Sequence, residues 1–294
     1  MNKSIVSDLW NKTFRQGNPL YFLIGVNVLV FLILGLIGAL TALGLLPSSI
    51  QSGLLGALQM PATLSAFIWK PWTIVTYMFT QLAFFHILFN MLWLFWLGQI
   101  FLNFLNGRQL LFTYLAGGLL GGLLYLLSYN IIPTFADRAA FVVLIGSSAS
   151  VSAVVFATAT LVPDYSIRML FFGNVKLKYL ALAFIVLDLL GVGTANAGGS
   201  IAHIGGALMG VVFIRQLRKG KDWSWILKRK KKGKLRVFSV TGGAVNRKEP
   251  GFQPETNSQD VIDIILDKIS VSGYDSLTKA EKDALFRASK EEKK

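Results

Sequence analysis

Six stretches of the chain are apolar over lengths that matter to a bilayer: Pro19 to Leu46, Phe84 to Phe104, Leu110 to Ile131, Leu144 to Val162, Leu177 to Val192 and Ile201 to Leu217. A helix rises 1.5 Å per residue and needs ~20 apolar residues to cross the hydrocarbon layer, so the pattern predicts six membrane helices. The first run is long and lacks a small-residue exit, so it is expected to stay as an anchor and not to be cleaved as a signal peptide. Between the first two runs, Pro47 to Pro71 is too polar at Ser48 to Gln51 to span, and with Trp69 and Trp72 near its end it reads as an interfacial loop. After the last run, Val261, Ile262, Ile265, Leu266 and Ile269 follow helical spacing, Gly273 stops that helix, and Thr278-x-x-Glu281 is a capping box opening another. The expected fold class is all-α, a polytopic six-helix membrane bundle with a small cytoplasmic helical hairpin. The expected divisions are a cytoplasmic segment 1–18, a membrane domain 19–219, a basic juxtamembrane segment and linker 220–259, and a tail 260–294.

Composition agrees with this pattern: 53% of the 294 residues are hydrophobic and 15% charged. The net charge of +14 is local. Residues 1–214 carry 9 basic and 4 acidic side chains, 215–236 carry 11 and 1, and 237–294 carry 9 and 10. Such a block beside a membrane enforces topology and attracts anionic lipid headgroups, at ~1 kcal/mol per basic residue near the surface. It does not form a nucleic-acid face, since the Phe residues that would stack on bases sit inside apolar runs. Lys3, Lys12, Arg15, Arg108, Arg168, Lys176, Lys178 and everything from Arg215 onward fall on one side of the spans, against Lys70 and Arg138 on the other. The first side is therefore expected to be cytoplasmic, with both termini on it. Cysteine is absent, which removes disulfides and thiolate chemistry, and with only His86 and His203 no metal site or other cofactor is expected.

Three polar clusters fall inside the spans: His86 to Asn90 in the second, Gly146-Ser147-Ser148-Ala149-Ser150 at the start of the fourth, and Ala202-His203 in the sixth. Polar and ionisable groups at such depth are functional candidates. Fifteen residues separate Asn90 from Leu105 and Ser148 from Pro163, and fourteen separate His203 from Leu217, so all three lie ~21–22 Å from the cytoplasmic boundary at helical rise. The three helices run in the same direction, which brings serine, histidine and asparagine to one level. Small-residue stripes at Ala149, Ala153 and Ala157 and at Ala202, Gly206 and Gly210 would let the fourth and sixth helices approach closely, and Gly117, Gly118, Gly121 and Gly122 are spaced for packing in the third.

The stretch His86-Ile-Leu-Phe-Asn90-Met-Leu-Trp, the Gly146-x-Ser148 turn and Ala202-His203-x-Gly205-Gly206-x-x-x-Gly210, in this order over Trp72 to Arg215, resemble the rhomboid family of intramembrane serine proteases. The resemblance implies a Ser-His dyad, without metal or cofactor, that hydrolyses peptide bonds in or beside the transmembrane segments of other proteins in a bacterial inner membrane. By position Ser148 would be the nucleophile and His203 the general base. Elementary chemistry agrees: a serine hydroxyl needs a base to take its proton, and a neutral imidazole suits that task near pH 7. Ser148 opens a helix, whose N–H groups and dipole favour an oxyanion, and His86 and Asn90, one turn apart, could add side-chain donors. Ser147, Ser150 and Ser152 are expected to line the polar cavity that admits water. Asp188 is the only acidic residue inside a span; the resemblance implies a dyad, so it is left outside the catalytic set.

The chain departs from the family pattern at three places. Ala149 stands where glycine usually follows the nucleophile, Ser152 where many members carry an aromatic ring under the histidine, and Trp69-Lys70 where a tryptophan-arginine pair is often found. The first two motivate an alternative, an inactive rhomboid-like protein that binds transmembrane segments. A channel or transporter is disfavoured, since no charged pathway continues to the other side. The tail, Val261 to Ser289, looks like the short hairpin appended to some bacterial rhomboid homologues and implies no known chemistry.

Overall fold

A computed structural model describes residues 13, 17–169, 173–194, 196–228, 262, 265–269 and 274–291. The chain divides into two compact units, residues 1–231 and 232–294, and each is described by itself.

Among the described residues of the first unit, seven helices exceed ten residues: α1 (Pro19–Ala42), α2 (Ser48–Leu58), α3 (Phe84–Phe104), α4 (Gly107–Ile131), α5 (Ser148–Leu161), α6 (Leu177–Gly191) and α7 (Ala197–Arg218). Each of the six expected spans overlaps one of these helices. By length and composition α1, α3, α4 and α7 can each cross a membrane, while α5 has fourteen residues and α6 fifteen. The chain is an integral membrane protein of all-α class.

Local chemistry sets the helix ends. Asn18 caps α1 by accepting from the Leu20 N–H, with Pro19 just inside, where its missing donor costs nothing. The helix stops at Ala42, four residues short of the expected Leu46, because Gly44 at φ +73° turns the chain away. Asn106 and Gln109 form a reciprocal capping box that starts α4 at Gly107, ahead of the expected Leu110. The Pro47–Pro71 connection, expected as a loop, contains α2, which has no buried residue and is tied down by donors to its last carbonyls. Lys70 Nζ reaches the Gly56 oxygen at 2.8 Å, Trp72 Nε1 the Ala57 oxygen at 2.9 Å and Thr76 Oγ1 the Leu58 oxygen at 2.8 Å.

Two small antiparallel pairs supplement the helices. Met60–Pro61 (β1) pairs with Val143–Leu144 (β2), so the start of the expected fourth span is extended and α5 begins only at Ser148. Ser166–Met169 (β3) pairs with Gly173–Lys176 (β4) between α5 and α6. Lys178 and Lys176 both bond Asp164 beside this hairpin and hold its carboxyl below the usual range.

The packing is centred on α4 and α5. In α4 61% of the apolar window is buried against 22% in α1, so of the four long helices α4 lies deepest in the bundle and α1 is the most exposed. The Ala153 methyl occupies the space a side chain on Gly117 would need, and the Ala149 methyl lies 2.7 Å from where a Cβ on Gly121 would stand. On the other side of α5, the Ala149 carbonyl seats against Gly206 and the Ala153 carbonyl against Gly210. Helix α5 is thus held between two glycine faces, the arrangement by which membrane helices gain contact without a hydrophobic driving force. At the C-terminal end of α7, Arg108 bonds Asp222 at 2.8 Å and Ser224 at 3.0 Å, tying the start of α4 to the chain after the last helix.

In the second unit α8 (Lys279–Glu291) opens with the expected capping box: the Thr278 N–H donates to Glu281 at 2.7 Å and the Glu281 N–H to Thr278 Oγ1 at 3.4 Å. Lys268 and Thr278 lower the Glu281 carboxyl to about 2. Residues 265–269 are helical, as the spacing predicts. Gly273, the linker Gly242 to Gln259 and the basic run Arg229 to Lys232 lie outside the described residues.

Candidate active site

Gly146 prepares the turn into α5. It stands at φ +106°, a conformation that favours glycine, and the His86 ring lies 2.6 Å from where its Cβ would be. Its N–H donates to the Tyr77 carbonyl at 2.9 Å, anchoring the turn to the segment before α3. Ser148 is then the first residue of α5, where the backbone N–H has no helical acceptor.

Because Gly206 and Gly210 let α7 close on α5, His203, one turn before Gly206, reaches Ser148: Nε2 lies 2.7 Å from Oγ. The level inferred from residue counting is therefore realised as a contact. On its other side, His203 Nδ1 lies 2.7 Å from Asp188 Oδ1 of α6. A carboxylate only accepts, so Nδ1 carries the proton, and in the neutral ring Nε2 is left to accept from the serine hydroxyl. The structure thus brings Asp188 to the histidine, where the sequence reading left it outside the set.

A cavity of about 450 Å³ opens beside these groups, lined by His86, Ser148, His203, Tyr125, Tyr129 and the extended segment Val142 to Ile145, among others. Its lining corrects one expectation: Ser147, Ser150 and Ser152 are buried and do not line it. Ser150 turns away from the Ser148 face of α5, and Ser152, on that face, lies one turn deeper, below the opening.

Asn90 does not line the cavity either. It is buried, and its Nδ2 donates to Gln81 Oε1 at 3.0 Å. Gln81 in turn donates to Asn27 Oδ1 and to Ser147 Oγ, each at 3.0 Å, and Asn27 donates to the Tyr114 hydroxyl at 3.0 Å. His86 lies at the cavity and Asn90 belongs to a buried polar network ending beside the serine. Sequence reading missed Asn27 and Gln81. The available signal was a single amide in each of two apolar surroundings, which bilayer energetics flags.

Among the described residues no group of three or more metal-ligating side chains occurs. A family model described as Rhomboid domain matches residues 68–219, and one described as a family of unknown function (DUF6576) matches residues 254–291. The chain is similar to RHOMBOID-like protein 12, mitochondrial, of Arabidopsis thaliana, with 30% identity over 159 residues, 51% of this chain and 47% of that protein. The chain thus spans about half the length of the curated relative it matches. Glycine-faced helices that carry a serine and a histidine to one contact at a cavity agree with a domain match over half of the sequence: the chain belongs to the rhomboid family.

Proposed function

We propose that the protein is an intramembrane serine endopeptidase that cleaves other membrane proteins in or beside their transmembrane segments, with Ser148 as nucleophile and His203 as general base. The observation that carries this reading is the 2.7 Å contact between Ser148 Oγ and His203 Nε2 at a cavity. The serine proton passes to Nε2 as Oγ attacks the scissile carbonyl. The resulting oxyanion meets the N-terminus of α5, where unpaired N–H groups and the helix dipole favour negative charge. Of the two side-chain donors expected from the sequence, His86 and Asn90, His86 is the one that lines the same cavity. Nε2 then returns its proton to the leaving amine, and water entering the cavity hydrolyses the acyl-serine by the same two groups.

The Ala149 methyl faces Gly121, where no side chain competes for its space, which supports the cleaving reading at one of the two departures that motivate a non-cleaving protein. The basic asymmetry along the chain supports an orientation with both termini cytoplasmic, in the bacterial inner membrane that the resemblance implies, and the block from Arg215 to Arg236 would meet anionic lipids there. Labelling of the purified full-length protein by a fluorophosphonate probe, together with cleavage of a model transmembrane substrate, tests the reading. Ser148→Ala should lose both, and His203→Ala should lose cleavage, while each variant still inserts. Wild-type protein that neither labels nor cleaves would instead favour a rhomboid-like binder of transmembrane segments.

A further inference from the structure

Helix α6 is the least buried part of the site. Leu182, Val186, Leu187, Leu189 and Leu190 are all exposed on it, and of its four buried residues three, Leu177, Leu180 and Ala181, lie in its first five. The fourth is Asp188. A carboxylate is an expensive way to attach a lipid-facing helix, since an apolar residue would bury the same surface without desolvating a charge. Only one of its oxygens is compensated: Oδ1 accepts from His203 Nδ1 at 2.7 Å, while Oδ2 is buried without a partner.

The approach of the two helices is built for this contact. Three residues after Asp188, Gly191 leaves the space that the Ser200 hydroxyl fills, and Ser200 is three residues before His203. In antiparallel helices these two pairs share one register, so the glycine brings α6 close to α7 one turn away from the carboxylate. On α5, one turn after Ser148, stands Ser152, where many family members carry the ring that supports the histidine. The imidazole here has a different support.

We propose that Asp188 is a positioning residue that completes a serine-histidine-aspartate relay, fixing the tautomer and orientation of His203. The inference rests on the protease reading above. With Oδ1 accepting from Nδ1–H, the lone pair of Nε2 faces Ser148 Oγ. When Nε2 takes the serine proton, the ring becomes an imidazolium held against the carboxylate, while Asp188 remains unprotonated and Nδ1 keeps its hydrogen. The half-compensated carboxylate then faces a full positive charge, so the attraction is greater in the transition state than in the resting enzyme, and only such differences accelerate the chemical step. Asparagine in its place would offer an N–H to Nδ1 as readily as its oxygen, drawing the ring proton onto Nε2 and turning N–H toward the serine.

Two measurements on the full-length protein in detergent test this. The chain has only two histidines, so ¹⁵N-histidine spectra resolve the tautomer of each, assigned with His86→Ala. In the unaltered protein His203 should carry its proton on Nδ1, and in Asp188→Asn the Nε2–H form should dominate. Turnover of a model transmembrane substrate by Asp188→Asn should fall about a hundredfold or more in kcat, with KM within a few-fold and thermal stability near wild type. Nε2–H as the resting tautomer in the unaltered protein, or Asp188→Asn cleaving within threefold of wild type, would overturn the relay while leaving the serine and histidine in place. Absence of both labelling and cleavage in the unaltered protein would overturn both readings.

Discussion

Replacing Gly206 by alanine is the sharpest probe of how packing sets the chemistry. The added Cβ would overlap the Ala149 carbonyl oxygen and stand 2.8 Å from the carbonyl carbon and 3.3 Å from Cα, whereas ordinary contact begins near 3.4 Å. These are backbone atoms of a helix and cannot swing aside, so α5 and α7 must part on the order of 1 Å. His203 lies one turn before Gly206 and moves with it. The 2.7 Å contact to Ser148 would then stretch toward the edge of hydrogen-bonding range. A misplacement of that size costs about a hundredfold in rate, and overpacking costs about 1–3 kcal/mol in stability. The sign of the stability change is itself diagnostic, because helix propensity alone would make glycine to alanine stabilising by ~1 kcal/mol. Gly35→Ala on the lipid side of α1, where nothing lies within 4 Å of the new methyl, isolates that propensity term and should keep wild-type turnover. The assay is cleavage of a transmembrane substrate at saturating concentration beside thermal unfolding in the same detergent. Gly206→Ala that turns over within threefold of wild type at an unchanged or higher Tm would refute the argument.

Asn90→Ala should lower stability by about 1 kcal/mol through its lost bond to Gln81 and leave kcat within threefold of wild type; a hundredfold fall in kcat at full stability would return Asn90 to the oxyanion donors. Gln81→Leu keeps the volume but strands three buried partners, and at ~0.6–1 kcal/mol per bond it should cost about 2–3 kcal/mol in thermal or denaturant unfolding. Burial alone would raise the Asp222 carboxyl, but bonds from Ser224 and Arg108 bring it below its ordinary value. Its contribution is therefore intact above the unfolded-state value of about 4 and lost as pH falls through the lower folded one, a dependence that Asp222→Asn should remove from acid-unfolding curves. Reporter fusions near Arg108, near Arg168 and in the tail should all report cytoplasm; a signal from the opposite side of the membrane at Gly220 would overturn the proposed orientation.

The spans, the shared level of Ser148 and His203 and the small-residue stripes were legible in the sequence because each rests on a period or a count: helical rise, residues per turn, and glycine at four-residue spacing. The capping box at Thr278 was legible for the same reason. Asp188 was visible as the lone acidic residue in a span, yet its partner depends on the rotation of α6 about its axis, which fifteen mostly apolar residues do not specify. The burial of Ser147, Ser150 and Ser152 was misread because three serines near Ser148 look like a cavity wall until the start of the helix and the depth of each turn are known. The β1–β2 pair joins segments more than eighty residues apart through only two residues each, too short for any periodic signal.

Gln81 joins parts of the chain that enter the membrane at different times. Its amide bonds Asn27 in α1, Asn90 in α3 and Ser147 beside Ser148, so the position of the serine is referred to a helix made more than a hundred residues earlier. Helices can insert one by one, each satisfying its own backbone, before they associate. At that first stage the serine, the histidine and the carboxylate sit on separate rods and nothing aligns them. On the proposed function, hydrolytic competence is a property of the closed bundle alone, and a chain whose helices have inserted but not yet associated carries every reactive group while being unable to cut.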